Sequence, residues 1–213
     1  WEKKGVTLGM GMTERQGGTD VRANITQAAS HGDHVEITGH KWFMSAPMCD
    51  AFLVLAQARD RPEGSGLTCY LMPRYRPDGG QNNLRFQRLK DKLGNKSNAS
   101  SEVEFHAAYA ERVGPEGAGV RTIIEMVNLT RLDCAIASAG QMRIALSQAL
   151  HHIRNRSVFQ RRLADQPAMR AVAADLALEL EAQVALVFRL AHAADHAASD
   201  PREAAYARLL TPA

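Results

Sequence analysis

Disulfide chemistry, membrane spans and a secretory leader are all missing from this 213-residue sequence. Its three cysteines, Cys49, Cys69 and Cys134, are odd in number and far apart. They form neither a disulfide framework nor a zinc pattern, so a reducing cytoplasm is the expected setting. No apolar run approaches the roughly 20 residues that cross a bilayer, so a membrane protein is not expected. The start, Trp1-Glu2-Lys3-Lys4, carries no initiator Met and no apolar stretch after its lysines, so no leader is visible. Leu209-Leu210-Thr211-Pro212-Ala213 follows an apolar helical stretch without a polar tail. The expectation is an internal piece of a longer protein. A large excess of either charge is also lacking: a net +3 implies weak affinity for anions and does not separate one function from another.

What is present divides into two patterns. Up to about Tyr109 the chain reads as strands. Val35, Ile37 and Phe43 fall on alternate positions, the period of a half-buried strand. Ala51 to Ala56 is a short continuous apolar run, as in a strand covered on both faces. Gly66 to Met72 and Ser101 to Phe105 are further candidates. Turn clusters separate them at Gly17-Gly18, His31-Gly32-Asp33, Arg61-Pro62-Glu63-Gly64 and Pro77-Asp78-Gly79-Gly80. After Gly119 the spacing changes to three and four. One helix is expected to about Arg156, and a second over Pro167 to Ala197 with Met169, Val172, Leu176, Leu180, Val187 and Leu190 on one stripe. A third begins after Asp200-Pro201. The fold class expected is α+β: an antiparallel β-barrel domain over 1–110, then a partial up-down helical bundle over 111–213.

The densest motif is Gly9-Met10-Gly11-Met12-Thr13-Glu14-Arg15-Gln16-Gly17-Gly18-Thr19-Asp20. A dinucleotide loop is a poor reading, because a strand rather than a helix follows and no βαβ unit surrounds it. On spacing alone a Gly-rich hairpin between strands is the simpler account. Three further blocks follow in order: Gly39-His40-Lys41-Trp42-Phe43-Met44-Ser45, Leu89 to Asn98, and Arg156-Ser157-Val158-Phe159-Gln160. Together the four resemble the Thr-Glu-x-x-x-Gly-Ser/Thr-Asp, Gly-x-Lys-x-aromatic-x-Ser/Thr, Gly-x-x-x-Ser and Arg-x-x-Phe-Gly segments of acyl-CoA dehydrogenases. Their fuller wording resembles that family's DNA-alkylation-response branch, which is similar to isovaleryl-CoA dehydrogenases. The resemblance covers essentially the whole chain, and it implies an N-terminal helical domain and the rest of the C-terminal domain outside these residues.

The resemblance implies an FAD-dependent oxidoreductase that dehydrogenates an acyl-CoA between its α and β carbons. The alternative is an alkylation-response flavoprotein with weak dehydrogenation that binds duplex DNA through regions outside this piece. Cofactor contacts are implied at Met10, Met12, Thr13, Gly18, Thr19, Phe43, Met44, Ser45, Arg156 and Phe159. The backbone at Met10 and Met12 and the Thr13 hydroxyl would border the flavin pyrimidine, with Phe43 as the packing ring and Ser45 donating to N5. On a regular strand Trp42 would point to the opposite face from Phe43, into ordinary packing. Thr19 reads either as a contact to phosphate or thioester or as a turn-capping hydroxyl. Arg156 would reach a neighbouring subunit's pyrophosphate, with Phe159 packing beside it, in a homotetramer. Arg154, Arg156, Arg161 and Arg162 read equally as a solvated basic face or a nucleic-acid patch. Gln160 replaces the family's Gly.

No catalytic residue is expected within the chain. In Leu129-Thr130-Arg131-Leu132 the position that resembles the isovaleryl-type base is Thr130, too weak an acid, so the base is expected beyond residue 213. Glu125 reads as a surface charge, Arg131 and Asp133 as a local pair, and Gly114 to Gly119 as a helix entry. His192 and His196, four apart on a helix, and the adjacent His151-His152 lack a third ligand, and no metal is expected.

Overall fold

The computed structural model describes residues 4–60, 62 and 65–211. Trp1, Glu2, Lys3, Pro212, Ala213 and, from the turn at 61–64, Arg61, Glu63 and Gly64 lie outside the described residues. The chain forms two compact units, Trp1–Glu125 and Met126–Ala213.

The first unit is a seven-stranded sheet: β1 (Leu8–Gly11), β2 (Gln27–His31), β3 (His34–Ser45), β4 (Ala51–Ala58), β5 (Leu67–Pro73), β6 (Leu84–Leu89) and β7 (Ser100–Val113). Their order is β1-β3-β2-β4-β5-β7-β6, and further pairings of β1 with β4 and β3 with β7 turn the sheet back on itself. The α+β class is as expected. The sheet is mixed rather than wholly antiparallel, since β1 and β2 both run parallel to β4. Those two strands were hidden from periodicity, one being half glycine and the other rich in alanine.

Alternation along β4 and β5 builds two cores. Phe52, Val54, Ala56, Tyr70 and Met72 point to one side and join Ile37, Met44, Val103 and Phe105. Leu55, Leu67 and Cys69 point to the other and join Ile123 from the first turns of α1 (Gly119–Asn155). The continuous apolar run at 51–56 is thus covered on both faces, as its composition requires. The entry to α1 is tied down where the Gly117 N–H donates to the Thr68 hydroxyl at 2.9 Å.

The second unit contains the remainder of α1, a hairpin of β8 (Ser157–Val158) and β9 (Arg161–Arg162), α2 (Pro167–His196) and α3 (Pro201–Leu210). Both later helices start on proline, whose missing N–H costs nothing in a first turn. Asp200 caps α3 by accepting from the Arg202 N–H at 2.8 Å. Arg189 grips Glu203 with two bonds of 2.7 and 3.1 Å, joining α2 to α3. Of the stripe expected on α2, Leu180 and Leu190 are buried, while Val172 and Leu176 stand half-exposed. Within this unit, too few neighbouring helices are present to cover the whole apolar face.

Candidate functional site

The site is built on β1 and the turn after it. Gly9 and Gly11 point inward, where there is no room for a side chain. A Cβ at Gly9 would lie 2.3 Å from the Ser45 carbonyl oxygen and 2.8 Å from the Phe52 ring; one at Gly11 would lie 3.0 Å from Lys41 Cγ. Met10 and Met12 alternate to the other side and pack on the core around Leu55 and Ile123. The glycines therefore serve close strand packing, and the methionine side chains are engaged in the core rather than offered to a cofactor. The chain then reverses: the Gly17 N–H donates to the Glu14 carbonyl at 3.1 Å. Gly18 comes so close to Thr13 that an added Cβ would lie 2.5 Å from its hydroxyl. Thr19 is exposed just beyond.

Beneath this turn lies a feature that the sequence motifs contained without announcing. Glu14 and Lys41, from two different motifs, form an ion pair of 2.8 Å with both side chains fully buried. Glu14 also accepts from the Ile25 N–H at 2.7 Å and the Thr26 N–H at 3.2 Å. Burial pushes its carboxyl up, but the Lys41 charge, with the bonds from Lys41, Thr26 and Ile25, outweighs burial and holds it below the ordinary carboxylate range. Burial likewise pulls the Lys41 ammonium below its usual value, with Glu14 opposing. The only visible sign in the sequence is a lysine within an otherwise apolar stretch of strand. The pair locks the turn after β1 to β3, and around it the Trp42 N–H donates to the Thr13 carbonyl at 2.8 Å and the Asn24 side chain to the Met12 carbonyl at 2.7 Å.

At Trp42 and Phe43 the expected alternation fails. Lys41 pairs with Val103 and Met44 with Ser101, so three steps along β3 match two along β7. This is a β-bulge, with Trp42 and Phe43 both opposite Glu102. Lys41 and Met44, an odd number of residues apart, are consequently both buried, whereas a regular strand would send them to opposite faces. The two rings are not separated by the sheet either. The Lys90 ammonium lies 3.4 Å from the Trp42 ring centre and 4.5 Å from that of Phe43. Lys90 is held there by Glu102 at 2.7 Å, which Arg88 joins at 2.8 Å. The bond from Lys90 first, then Arg88, keeps the Glu102 carboxyl below its usual range.

Phe43 is 42% exposed despite its size. Ser45 is half-buried two residues along, and Thr13 is half-buried on the neighbouring segment. Neither hydroxyl hydrogen-bonds to another described residue, so both remain available as donors. Met44, by contrast, turns its side chain fully into the core, and its backbone is paired with Gly11 on one side and Ser101 on the other. An exposed ring with two unengaged hydroxyls and a glycine turn fits a flat, polar-edged heterocycle.

Arg156 and Phe159 belong to the other unit. Arg156 is exposed and closes the base of the β8–β9 hairpin, its carbonyl accepting from the Leu163 N–H at 2.8 Å. Phe159 projects from the tip at 90% exposure. Phe159 and Gln160 have φ of 53° and 64°, a left-handed pair that strains non-glycine residues. The turn is thus kept despite the loss of glycine at 160. Thr130 donates its hydroxyl to the Val127 carbonyl at 2.8 Å, a purely local bond. Glu125 is exposed, and Arg131 meets Asn128 at 3.4 Å rather than Asp133.

Residues 9–108 match the model of the acyl-CoA dehydrogenase middle domain, and residues 117–213 that of the acyl-CoA dehydrogenase C-terminal domain. The chain is 51% identical over its whole length to AidB of Escherichia coli (strain K12), covering 38% of that protein. It is 35% identical to acyl-CoA dehydrogenase family member 11 of Caenorhabditis elegans, over 98% of the chain and 36% of the relative. The crystal structure of Caenorhabditis elegans ACDH-11 in complex with C11-CoA superposes with a TM-score of 0.89 at 35% identity, over 98% of this chain and 37% of that one. The chain therefore spans less than two fifths of the length of these relatives.

Proposed function

The chain belongs to the acyl-CoA dehydrogenase family, and on that premise we propose that it is the flavin-facing part of an FAD-dependent oxidoreductase acting on acyl-CoA thioesters. The observation that carries this is the exposed Phe43 ring at the β3 bulge, with the unengaged hydroxyl of Ser45 two residues along the strand and that of Thr13 on the neighbouring segment. Phe43 would pack on the flavin, Thr13 and Ser45 would hydrogen-bond its polar edge, and the glycine turn at Gly17 and Gly18 would let it approach. Bound FAD would accept the hydride that leaves the β carbon as the α proton passes to a base. Thr130 is too weakly acidic for that proton, and the base is proposed to lie outside these 213 residues. Support for the thioester comes from the C11-CoA held by the superposing relative.

Arg156 and Phe159 are proposed to meet cofactor across a subunit boundary in a homotetramer, which accounts for an aromatic ring left bare on a strained hairpin. A cytoplasmic setting belongs to the same proposal and rests on the three scattered free thiols. The test is anaerobic mixing of the full-length protein with short, branched and long acyl-CoAs. Bleaching of the flavin band is expected with at least one, and no bleaching with any would remove the enzyme reading.

A second reading is favoured by the arginines at 154, 156, 161 and 162, all exposed around the β8–β9 hairpin. In it the protein is an alkylation-response flavoprotein that binds duplex DNA. Each phosphate contact should steepen the fall of affinity with salt by about 0.9 in logarithmic slope. Binding indifferent to salt would end this reading.

A further inference from the structure

We propose that the tip of the β2–β3 hairpin binds a transition-metal dication of the zinc class through His31, His34 and Glu36. The placement follows from register. His31 pairs directly with His34 across the turn, and Glu36 lies two residues further along β3, so the three share one face. Each offers one ligand atom, and these atoms lie within 4.8 Å of one another. Bonds of about 2.0–2.2 Å to a tetrahedral ion place ligand atoms roughly 3.4 Å apart. Closing that gap needs only side-chain rotation, and His31 is exposed and free to swing.

The surroundings are those of a metal ligand rather than of a solvated histidine. Asp33 Oδ1 lies 3.0 Å from His34 Nδ1. This is the carboxylate–imidazole contact that orients a ligating ring and leaves Nε2 for the ion. The Tyr109 ring stacks on His34 with centres 4.8 Å apart and planes at 29°, which restricts the imidazole before any ion arrives. Tyr109 in turn donates to Glu111 at 2.6 Å, so Asp33, Glu36 and Glu111 supply negative charge to one small region. Gly32, at φ +67° in the first turn position, fixes the separation of the two histidines. A hairpin brings together ligands that helical spacing rules do not look for. The helical pair His192 and His196 has no third ligand atom grouped with it among the described residues.

The experiment is calorimetric titration of chelator-stripped full-length protein with zinc chloride, alongside cobalt chloride followed by its visible absorption. One site per chain is expected. His31→Ala and His34→Ala should each abolish it, Glu36→Gln should weaken it at least tenfold, and Asp33→Asn should weaken it by about 10- to 100-fold. The His192→Ala/His196→Ala variant should bind as wild type does, and circular dichroism melting checks that every variant is folded. Undiminished zinc binding by the folded His31→Ala/His34→Ala double variant would overturn the proposal, as would no binding by wild type through the millimolar range.

Discussion

Replacing Lys41 by Met tests the foundation of the site. Both members of the Glu14–Lys41 pair are fully buried, so solvent screening does not soften the loss. Removing the ammonium strands a carboxylate in the core, and breaking such a pair costs about 3–5 kcal/mol. The Glu14→Gln/Lys41→Met double variant removes both charges. Its amide oxygen still accepts from Ile25 or Thr26, so its loss should fall to about 1–3 kcal/mol, that of an imperfectly matched buried polar group. Urea unfolding followed by the fluorescence of the adjacent Trp42 measures wild type, Lys41→Met, Glu14→Gln and the double variant, and the cycle of four gives the coupling directly. A pH series adds a sign. Glu14 has a folded-state value below the unfolded 4.5, so its contribution is fully present above 4.5 and is lost as pH falls through the folded value. The gap between wild type and Lys41→Met should therefore narrow in acid. If Lys41→Met costs under about 1 kcal/mol, or the single changes simply add in the double variant, the pair does not hold the strands and the reasoning fails.

Three further outcomes are expected. Phe43→Ala should weaken FAD binding by about tenfold, the order of one aromatic stacking contact, while the melting temperature of the apoprotein barely moves because the ring is already 42% exposed; equilibrium dialysis and calorimetry measure the two. Gly18→Ala drives a methyl against the Thr13 hydroxyl, which should cost about 1–3 kcal/mol and lower flavin retention on gel filtration; full retention would detach Thr13 from the cofactor. Gln160→Gly relieves a left-handed residue at φ 64° and should stabilise by about 0.5–1 kcal/mol, the strain less glycine's entropy cost, seen as a higher melting temperature.

Much of the fold was legible because its signals are periodic. The strands at β3, β4 and β5 and the three helices follow apolar spacing closely, with proline and Asp200 marking helix starts. β1 was not legible as a strand: glycine at every inward position erases the hydrophobic signal, and the reason for those glycines is the Ser45 carbonyl and the Lys41 stem across from them. β2 and β6 offered short, small or charged residues instead of alternation. Within the site, residue identities were readable from the motifs but their directions were not. One extra residue at Trp42–Phe43 cannot be seen in sequence, and it decides that Met44 is buried on the same side as Lys41 while Phe43 is left exposed. The histidine cluster was missed for a related reason, since contacts across a turn depend on pairing register rather than on spacing.

That extra residue has an evolutionary consequence. Two successive positions facing Glu102 are relieved of duty toward the interior, so either can carry the large ring without a compensating change behind it. A lineage could thus migrate its exposed aromatic by one place, through two ordinary point changes. Losing a single codon there would leave one residue facing Glu102 and a regular ladder, with Met44 still opposite Ser101 and still turned inward, but with a single place left for a ring.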